Sequence, residues 1–384
     1  MSRIAIGSCV LAVSLVPFSQ LPAFAVDDIY VNGNLSVNMG VEVGAAVVAS
    51  PGANYGFGRV DLTSGDNTGD TVFGEVYVRP TLGFNLKVTP ESTLHGLVAG
   101  VGQATLGEGD QAGYTNSGSR RIDLDQLYFG FRHDAAGGKE GGGWTYDLSA
   151  GRQKVQVGDG FLIWDGHFDS TRDGAYFGAP RTAFDLAVVA KAESANWAIQ
   201  GFAMENDADG GKTGFAGGDV VYTGDFGTIG FLTGAVVGTD AANSLDRAGL
   251  KLVSARVRNI KTPVDNLSLN GEFTYQFGSS GEGDREAYGW FAQAVYALQD
   301  VAWSPVLSYR YSRFSGDSNG NDGVNNAFDP LFYGAGGGWG TWFQGEVRTA
   351  SIYCSTRTRL HMKSSLPSSQ PRRSAPGSFT ITTT

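Results

Sequence analysis

The chain has 384 residues, with 28 Lys+Arg against 38 Asp+Glu and 57 glycines. Glycine is about twice its usual ~7%, and the 17% of charged residues falls below the ~25% of a typical soluble protein. The acidic balance excludes nucleic acid as a partner, because phosphate backbones are held by basic surfaces. Cysteine occurs only at Cys9 and Cys354, which excludes a disulfide framework between them.

The N-terminus reads as a secretion signal. Arg3 supplies the positive start, Ile4 to Phe18 is mostly apolar, and Ala23-Phe24-Ala25 fits a small-residue cleavage site after Ala25. A membrane anchor is the other reading, but the stretch is short and contains Pro17. No later segment reaches the ~18 apolar residues a spanning helix requires. A Gram-negative envelope protein of this kind is periplasmic, secreted, or an outer-membrane barrel.

Alternation of apolar and polar residues, bounded by Gly, Asn, Asp and Pro, predicts about fourteen strands. They lie near 35–48, 72–88, 93–106, 122–133, 144–155, 183–191, 195–204, 219–223, 228–238, 246–258, 266–278, 286–298, 302–313 and 339–347. Polar stretches near 50–71, 107–121, 158–182, 205–218, 279–285 and 314–337 read as long loops, and 89–92 and 299–301 as tight turns. Strands of ~10 residues with period 2, long loops on one side and short turns on the other, are the signature of a transmembrane β-barrel. The clearest strand is Leu267 to Phe277, where Phe273, Tyr275 and Phe277 share one face and Glu272, Thr274 and Gln276 the other.

Parity assigns side chains to lipid or lumen, since a charge on the lipid face near the midplane costs ~2–4 kcal/mol. In 72–88, Val76, Val78, Leu82, Phe84, Leu86 and Val88 face out, leaving Glu75, Arg79, Asn85 and Lys87 inside. In 122–133, Leu127, Phe129 and Phe131 face out and Gln126, Tyr128 and Arg132 in. In 246–258, Arg256 and Arg258 face in, and in 302–313 Arg310 does, between Ser308 and Ser312. Arg152 and Lys154 break the rule by sharing parity with Tyr146, Leu148 and Ala150. Either a bulge shifts register there or the strand has left the membrane. Arginines and acids together inside a barrel have two readings: an ion-pair ladder bracing the wall, or a ring favouring anions. A planar guanidinium fork matches carboxylates, so an anionic solute bearing them suits the ring.

Acidity concentrates in Asp61–Asp70, Glu108–Asp110 and Asp317–Asp329, which implies solvated loops or divalent-ion bridging to lipopolysaccharide. From about Val347 the pattern changes. Residues 348–384 carry six Lys/Arg, no Asp or Glu and a single glycine, with no alternation. The composition allows a disordered extension; the break in mid-strand favours an out-of-frame or truncated end.

Four stretches together resemble the alginate-export family of outer-membrane β-barrels. They are Val76-Tyr-Val-Arg-Pro80, Gly151-Arg-Gln-Lys154 followed by Gly158-Asp-Gly160, Tyr309-Arg-Tyr-Ser-Arg-Phe-Ser-Gly-Asp317, and Phe328-Asp-Pro-Leu-Phe-Tyr-Gly334. The last two are the more specific. A strand ending at Asp317 and a loop carrying Phe328, Asp329 and Pro330 look like that family's late extracellular loop. The resemblance covers most of 70–347. It implies an all-β transmembrane antiparallel β-barrel of the eighteen-stranded type, here apparently truncated to about fourteen strands. It also implies export of an anionic polysaccharide or other anionic solute through an arginine-rich constriction, for which Arg79, Arg132, Arg152 and Arg310 are the best matches. The expected organisation is a signal over 1–25, one barrel domain over 26–347 and an atypical tail over 348–384. Expected partners are outer-membrane lipid, lipopolysaccharide and the barrel-assembly machinery, although Thr384 stands where a final aromatic is usual.

No enzyme, metal or cofactor is expected. His95, His133, His167 and His361 are the only histidines. His167-Phe168-Asp169-Ser170 places catalytic residue types side by side, but sequence neighbours point to different faces and seldom form a triad. Asp317 to Gly323 resembles a calcium loop, yet Asp322 stands at the sixth position, where an EF-hand needs glycine. An outer-membrane hydrolase and a secreted carbohydrate-binding β-sandwich are the alternatives.

Overall fold

The computed structural model describes residues 19–20, 24–50, 71–109, 115–167, 173–175, 180–208, 211–240, 247–280, 283–301, 304–333 and 352–353. Fourteen long strands form one antiparallel sheet in which each pairs with the next in the chain. They are β1 (Phe24–Asn32), β2 (Leu35–Ser50), β3 (Thr71–Thr89), β4 (Ser92–Gly107), β5 (Arg120–Ala135), β6 (Trp144–Gln153) and β7 (Phe184–Glu193). The series continues with β8 (Trp197–Glu205), β9 (Thr213–Gly224), β10 (Gly227–Thr239), β11 (Lys251–Lys261), β12 (Leu267–Ser280), β13 (Gly283–Ala297) and β14 (Val306–Phe314). Among the described residues β1 and β14 do not pair with each other, so the sheet is open there. The pair Ile352–Tyr353 lies beside β14 and Val324–Asn325 beside β13. No helix among the described residues is long and apolar enough to cross a membrane.

The faces are inverted relative to a soluble protein. Val78, Leu82, Leu127, Phe129, Leu148, Phe231, Phe273 and Tyr309 point outward and are exposed, Phe129 by 64%. Glu75, Arg79, Gln126, Ser254, Arg256, Glu272, Arg310 and Ser312 point inward and are buried. A sandwich would bury its apolar strand faces against each other; here they form a belt of the kind lipid covers. Glycine permits close cross-strand packing: Tyr77 lies over Gly44, His95 over Gly130 and Arg256 over Gly230, where a Cβ would collide with each ring or guanidinium.

Several boundaries differ from expectation. The strand Phe24–Asn32 was not expected, and β9 begins at Thr213 rather than near 219, inside the expected loop 205–218. Its start, Thr-Gly-Phe-Ala-Gly-Gly218, has little polarity contrast but pairs with β8 from Gly214 and with β10 from Thr213, across a register shift after Gly214. The expected loop 279–285 shrinks to 281–282, because Gly278 to Ser280 pair with Gly283 to Arg285. The expected strand 339–347 and, apart from Ile352–Tyr353, the expected tail 348–384 lie outside the described residues. Short connections such as 33–34, 90–91 and 225–226 join strand ends at one rim, and the strand ends at the other rim, such as Ser50 and Thr71, are joined by longer connections. Registers shift beside Asp125, which puts Asp125 and Gln126 both inside, and between Gly151 and Gln153, the bulge that Arg152 required.

Candidate functional site

The apolar core lies inside the sheet, where two loops fold inward. After Gln153 the chain leaves the wall, and Val155, Val157, Phe161, Leu162 and Ile163 are buried against inward residues of the strands. The backbone doubles back through Gly158 (φ +59) and Gly160 (φ +87), and Val157 N donates to Ile163 O at 3.0 Å. Left-handed φ favours glycine, and at Gly158 a Cβ would also press on Arg256 Cδ at 3.1 Å. The Phe161 ring packs among Phe291 (5.5 Å), Phe328 (5.8 Å) and Phe314 (6.0 Å).

The second loop carries Phe328-Asp-Pro-Leu-Phe332. It is not a surface loop here: Leu331 and Phe332 are in the core, and Phe332 pairs with Ile163 in a parallel bridge. Phe332 N donates to Leu162 O at 2.9 Å, and Trp164 N returns a bond to Phe332 O at 2.8 Å. Gln276 of β12 pins the loop, donating to Asp329 O at 2.6 Å and accepting from Asp329 N at 2.9 Å. Arg247 grips the Asp329 carboxylate at 2.8 and 2.9 Å and lies over the Phe332 ring. Phe161 to Trp164, just after Gly158-Asp-Gly160, therefore meets the Phe328–Phe332 stretch inside the sheet.

The first loop also reaches the opposite wall. Asp173 accepts from Arg121 of β5 at 3.0 Å, and Ala175 N donates to Thr105 Oγ1 of β4 at 3.1 Å. Arg181, almost fully buried, bridges Asp173 (2.7 Å) and Asp207 (2.6 Å). Arg152 joins this cluster through Asp185 and through Asp207 at 2.5 Å. His167 holds Asp173 through Nε2 at 2.7 Å. Burial alone would lower the His167 pKa, but its hydrogen bonds to Asp173 and Asp207 outweigh burial and raise it to about 9. That engagement makes His167 a structural anchor; Phe168, Asp169 and Ser170 lie outside the described residues.

The remaining expected site residues are distributed around the inner wall. Arg79 pairs with Asp125 (2.7 Å) and Glu42 (3.1 Å), with Glu75 buried beneath. Arg256, 5% exposed, pairs with Asp219 at 2.6 Å, and Glu272 accepts from Ser254 at 2.7 Å. Arg258 meets Asp159 of the first loop at 2.9 Å. Arg310 donates to Gln293 at 2.8 Å and stacks over Phe291. Arg132 pairs with Asp134 near the short connection 136–143, away from the infolded loops. Asp317 accepts from Asn319 N in an exposed turn and does not join the loop pair. Most of these arginines are engaged by acids rather than arranged as an open ring.

Sequence reasoning missed Arg247, Arg181, Arg121 and Lys191. Arg181 lies in the expected loop 158–182, and Arg247 in the expected strand 246–258, which begins only at Lys251; parity within 183–191 places Lys191 on the inner face beside Val189 and Ala187. Lys191 has no ion-pair partner among the described residues. With Arg256, Arg258, Glu193, Asp219 and Gln200 it lines a recess of about 380 Å³.

The family profile described as alginate export matches residues 97–349. Among solved structures, OmpF of Salmonella typhi in complex with daunomycin is 11% identical, with 78% of this chain and 96% of that one covered at a TM-score of 0.36. A BenF-like porin from Pseudomonas fluorescens is also 11% identical, with 76% and 84% covered at a TM-score of 0.37. OmpT of Vibrio cholerae gives 11% identity, coverage of 79% and 95%, and a TM-score of 0.32. No curated protein matches the chain.

Proposed function

This chain belongs to the alginate export family, and from that premise we propose that it is an outer-membrane channel biased towards anionic solutes, acting without catalysis. Its fold and outer-membrane location follow from the family and from the exposed apolar belt. The reading of selectivity is carried by the recess. Lys191, without an ion-pair partner among the described residues, stands there with Arg256, Arg258 and Glu193, and Glu193 is itself held by Lys139 at 2.6 Å. Asp219 and Asp159 already hold Arg256 and Arg258, so Lys191 is the cation left to meet a passing anion. Charged side chains lining a pore set its ion preference by sign. Among the described acidic residues, Asp317 and Asp322 lie in the connection after β14, and exposed charges more than ~8 Å away are largely screened at physiological salt. Lipid and lipopolysaccharide would contact the outer belt and rim, and the barrel-assembly machinery would insert the chain.

Planar-bilayer recording of the full chain in a salt gradient tests the selectivity. The expected reversal potential favours anions and moves towards cations in Lys191→Glu. A cation preference in the unsubstituted protein would refute the anion reading.

A further inference from the structure

The inner wall of β7 to β11 is divided along its length. Towards the long connections, Phe202, Phe215, Leu232 and Leu252 are buried in one core with Val157 and Leu162 of the loop after β6. Towards the short connections the same strands turn polar groups inward, Lys191, Gln200, Asp219, Thr228 and Arg256 in turn, and these line the recess. Glu193, at its edge, is the last residue of β7, and Arg258 and Asn259 stand just before the end of β11 at Lys261. Gly158 closes the other side, where Asp159 holds Arg258 at 2.9 Å. The recess therefore opens towards the short connections. From the long-connection side this wall leads through packed apolar side chains, where an ionised group is far more costly than in water. Short turns of outer-membrane barrels are periplasmic and long loops extracellular, so the open side is the periplasmic one.

We infer that the recess is a one-sided loading site, which takes a carboxylate-bearing unit of the cargo from the periplasmic mouth. The inference rests on the anion-channel reading above and adds a side to it. Lys191 is the group left to receive the carboxylate, because the acids around it are engaged. Asp147, its neighbour across β6, faces His95 at 2.8 Å. Lys139 holds Glu193 and Arg256 holds Asp219, each at 2.6 Å. Arg258 carries further donors beside it, and the side-chain oxygens of Gln200 and Asn259 can accept from hydroxyls. A free sugar acid and an acidic unit of a longer chain both meet these demands.

Single channels of the full chain in planar bilayers test this, with glucuronate, a short oligouronate or neutral maltotriose added to one side at a time. Voltages of equal size drive the anion into the pore from each side. Orientation is read from Gly320→Cys, with Cys9 and Cys354 replaced by Ser, through a bulky membrane-impermeant maleimide that alters the current only from the long-connection side. Current interruption by the oligouronate is expected at lower concentration from the short-connection side. Lys191→Ala should raise the half-blocking concentration on that side about two- to fivefold, the worth of one solvated ion pair, and leave the other side unchanged; Lys191→Arg should restore it. Interruption by glucuronate as well would support a site filled by a single acidic unit. Equal half-blocking concentrations from the two sides, or a side preference that survives in Lys191→Ala, would overturn the loading site. Equal interruption by maltotriose would overturn its recognition of charge. An anion-preferring channel blocked equally from both sides overturns the site alone, whereas a cation preference in the salt gradient overturns the reading on which it rests.

Discussion

Arg247 and Asp329, 82 residues apart, meet through two parallel hydrogen bonds of 2.8 and 2.9 Å. Both side chains are more than nine-tenths buried. This contact joins the β10–β11 connection to the infolded loop after β14, and the same guanidinium donates to Leu331 O at 3.0 Å. Breaking a buried pair from one side leaves a desolvated charge and costs about 3–5 kcal/mol.

Asp329→Ala should therefore destabilise the loop more than the double substitution Arg247→Met with Asp329→Leu, which removes both charges and keeps apolar volume. Thermal unfolding in detergent, followed by heat-modifiable migration, checks the order. Equal losses in the two variants would show that the pair is solvated.

The strands were largely legible in the sequence, because a lipid-facing side and a water-facing side give period 2 its contrast. Glu75, Arg79, Arg256 and Arg310 fall on the inner face as parity requires. The start of β9 was not legible, since Gly214, Ala216 and Gly217 supply no contrast. The infolding was not legible from periodicity either. Its signal is a different one: Phe161-Leu-Ile-Trp164 is too apolar a run for a loop in water, and Leu331-Phe332 is its counterpart. That these two runs meet is a long-range fact that local patterns do not encode. The pairing of each arginine with its acid depends on the same long-range geometry.

Gly158 makes a prediction about the infolded loop after β6. Its φ of +59 favours glycine, and a Cβ there would lie 3.1 Å from Arg256 Cδ. Gly158→Val should push the turn off Arg256 and separate Asp159 from Arg258. The expected loss is roughly 1–3 kcal/mol, from strained backbone, with a larger single-channel conductance. Gly320→Val, in open space by the same measure, serves as the control and should change neither.

His167 gives the infolded loop after β6 a pH dependence. Its folded pKa of about 9 lies above the ordinary ~6.5. The folded state therefore binds the proton more tightly, and the stability this adds is fully present below about pH 6.5. It is lost as pH rises through about 9. Asp173 and Asp207 act oppositely: burial would raise them, but His167 and Arg181, with Arg121 at Asp173 and Arg152 at Asp207, hold both below the usual carboxylate range. Their contribution disappears only in acid. Hydrogen exchange at 164–167 should accelerate between pH 6.5 and 9.5 beyond its intrinsic base catalysis, and His167→Gln should abolish the excess. An excess that persists in His167→Gln would assign it elsewhere.

Lys191 and Arg256 line one recess but should separate cleanly on substitution. Arg256 is buried against Asp219 and lies over Gly230, so it braces the wall. Lys191 is exposed on the inner face and has no ion-pair partner among the described residues. Truncating Arg256 strands the Asp219 carboxylate, which should cost about 3–5 kcal/mol and lower the unfolding temperature. Lys191→Ala removes a solvated charge, for which surface substitutions usually cost under ~0.5 kcal/mol. Its effect should appear in the reversal potential, as a shift towards cations, with unfolding unchanged. Measuring both quantities in both variants distinguishes a bracing arginine from a selecting lysine. If Lys191→Ala leaves the reversal potential unmoved while Arg256→Ala shifts it in a folded barrel, the two roles are exchanged.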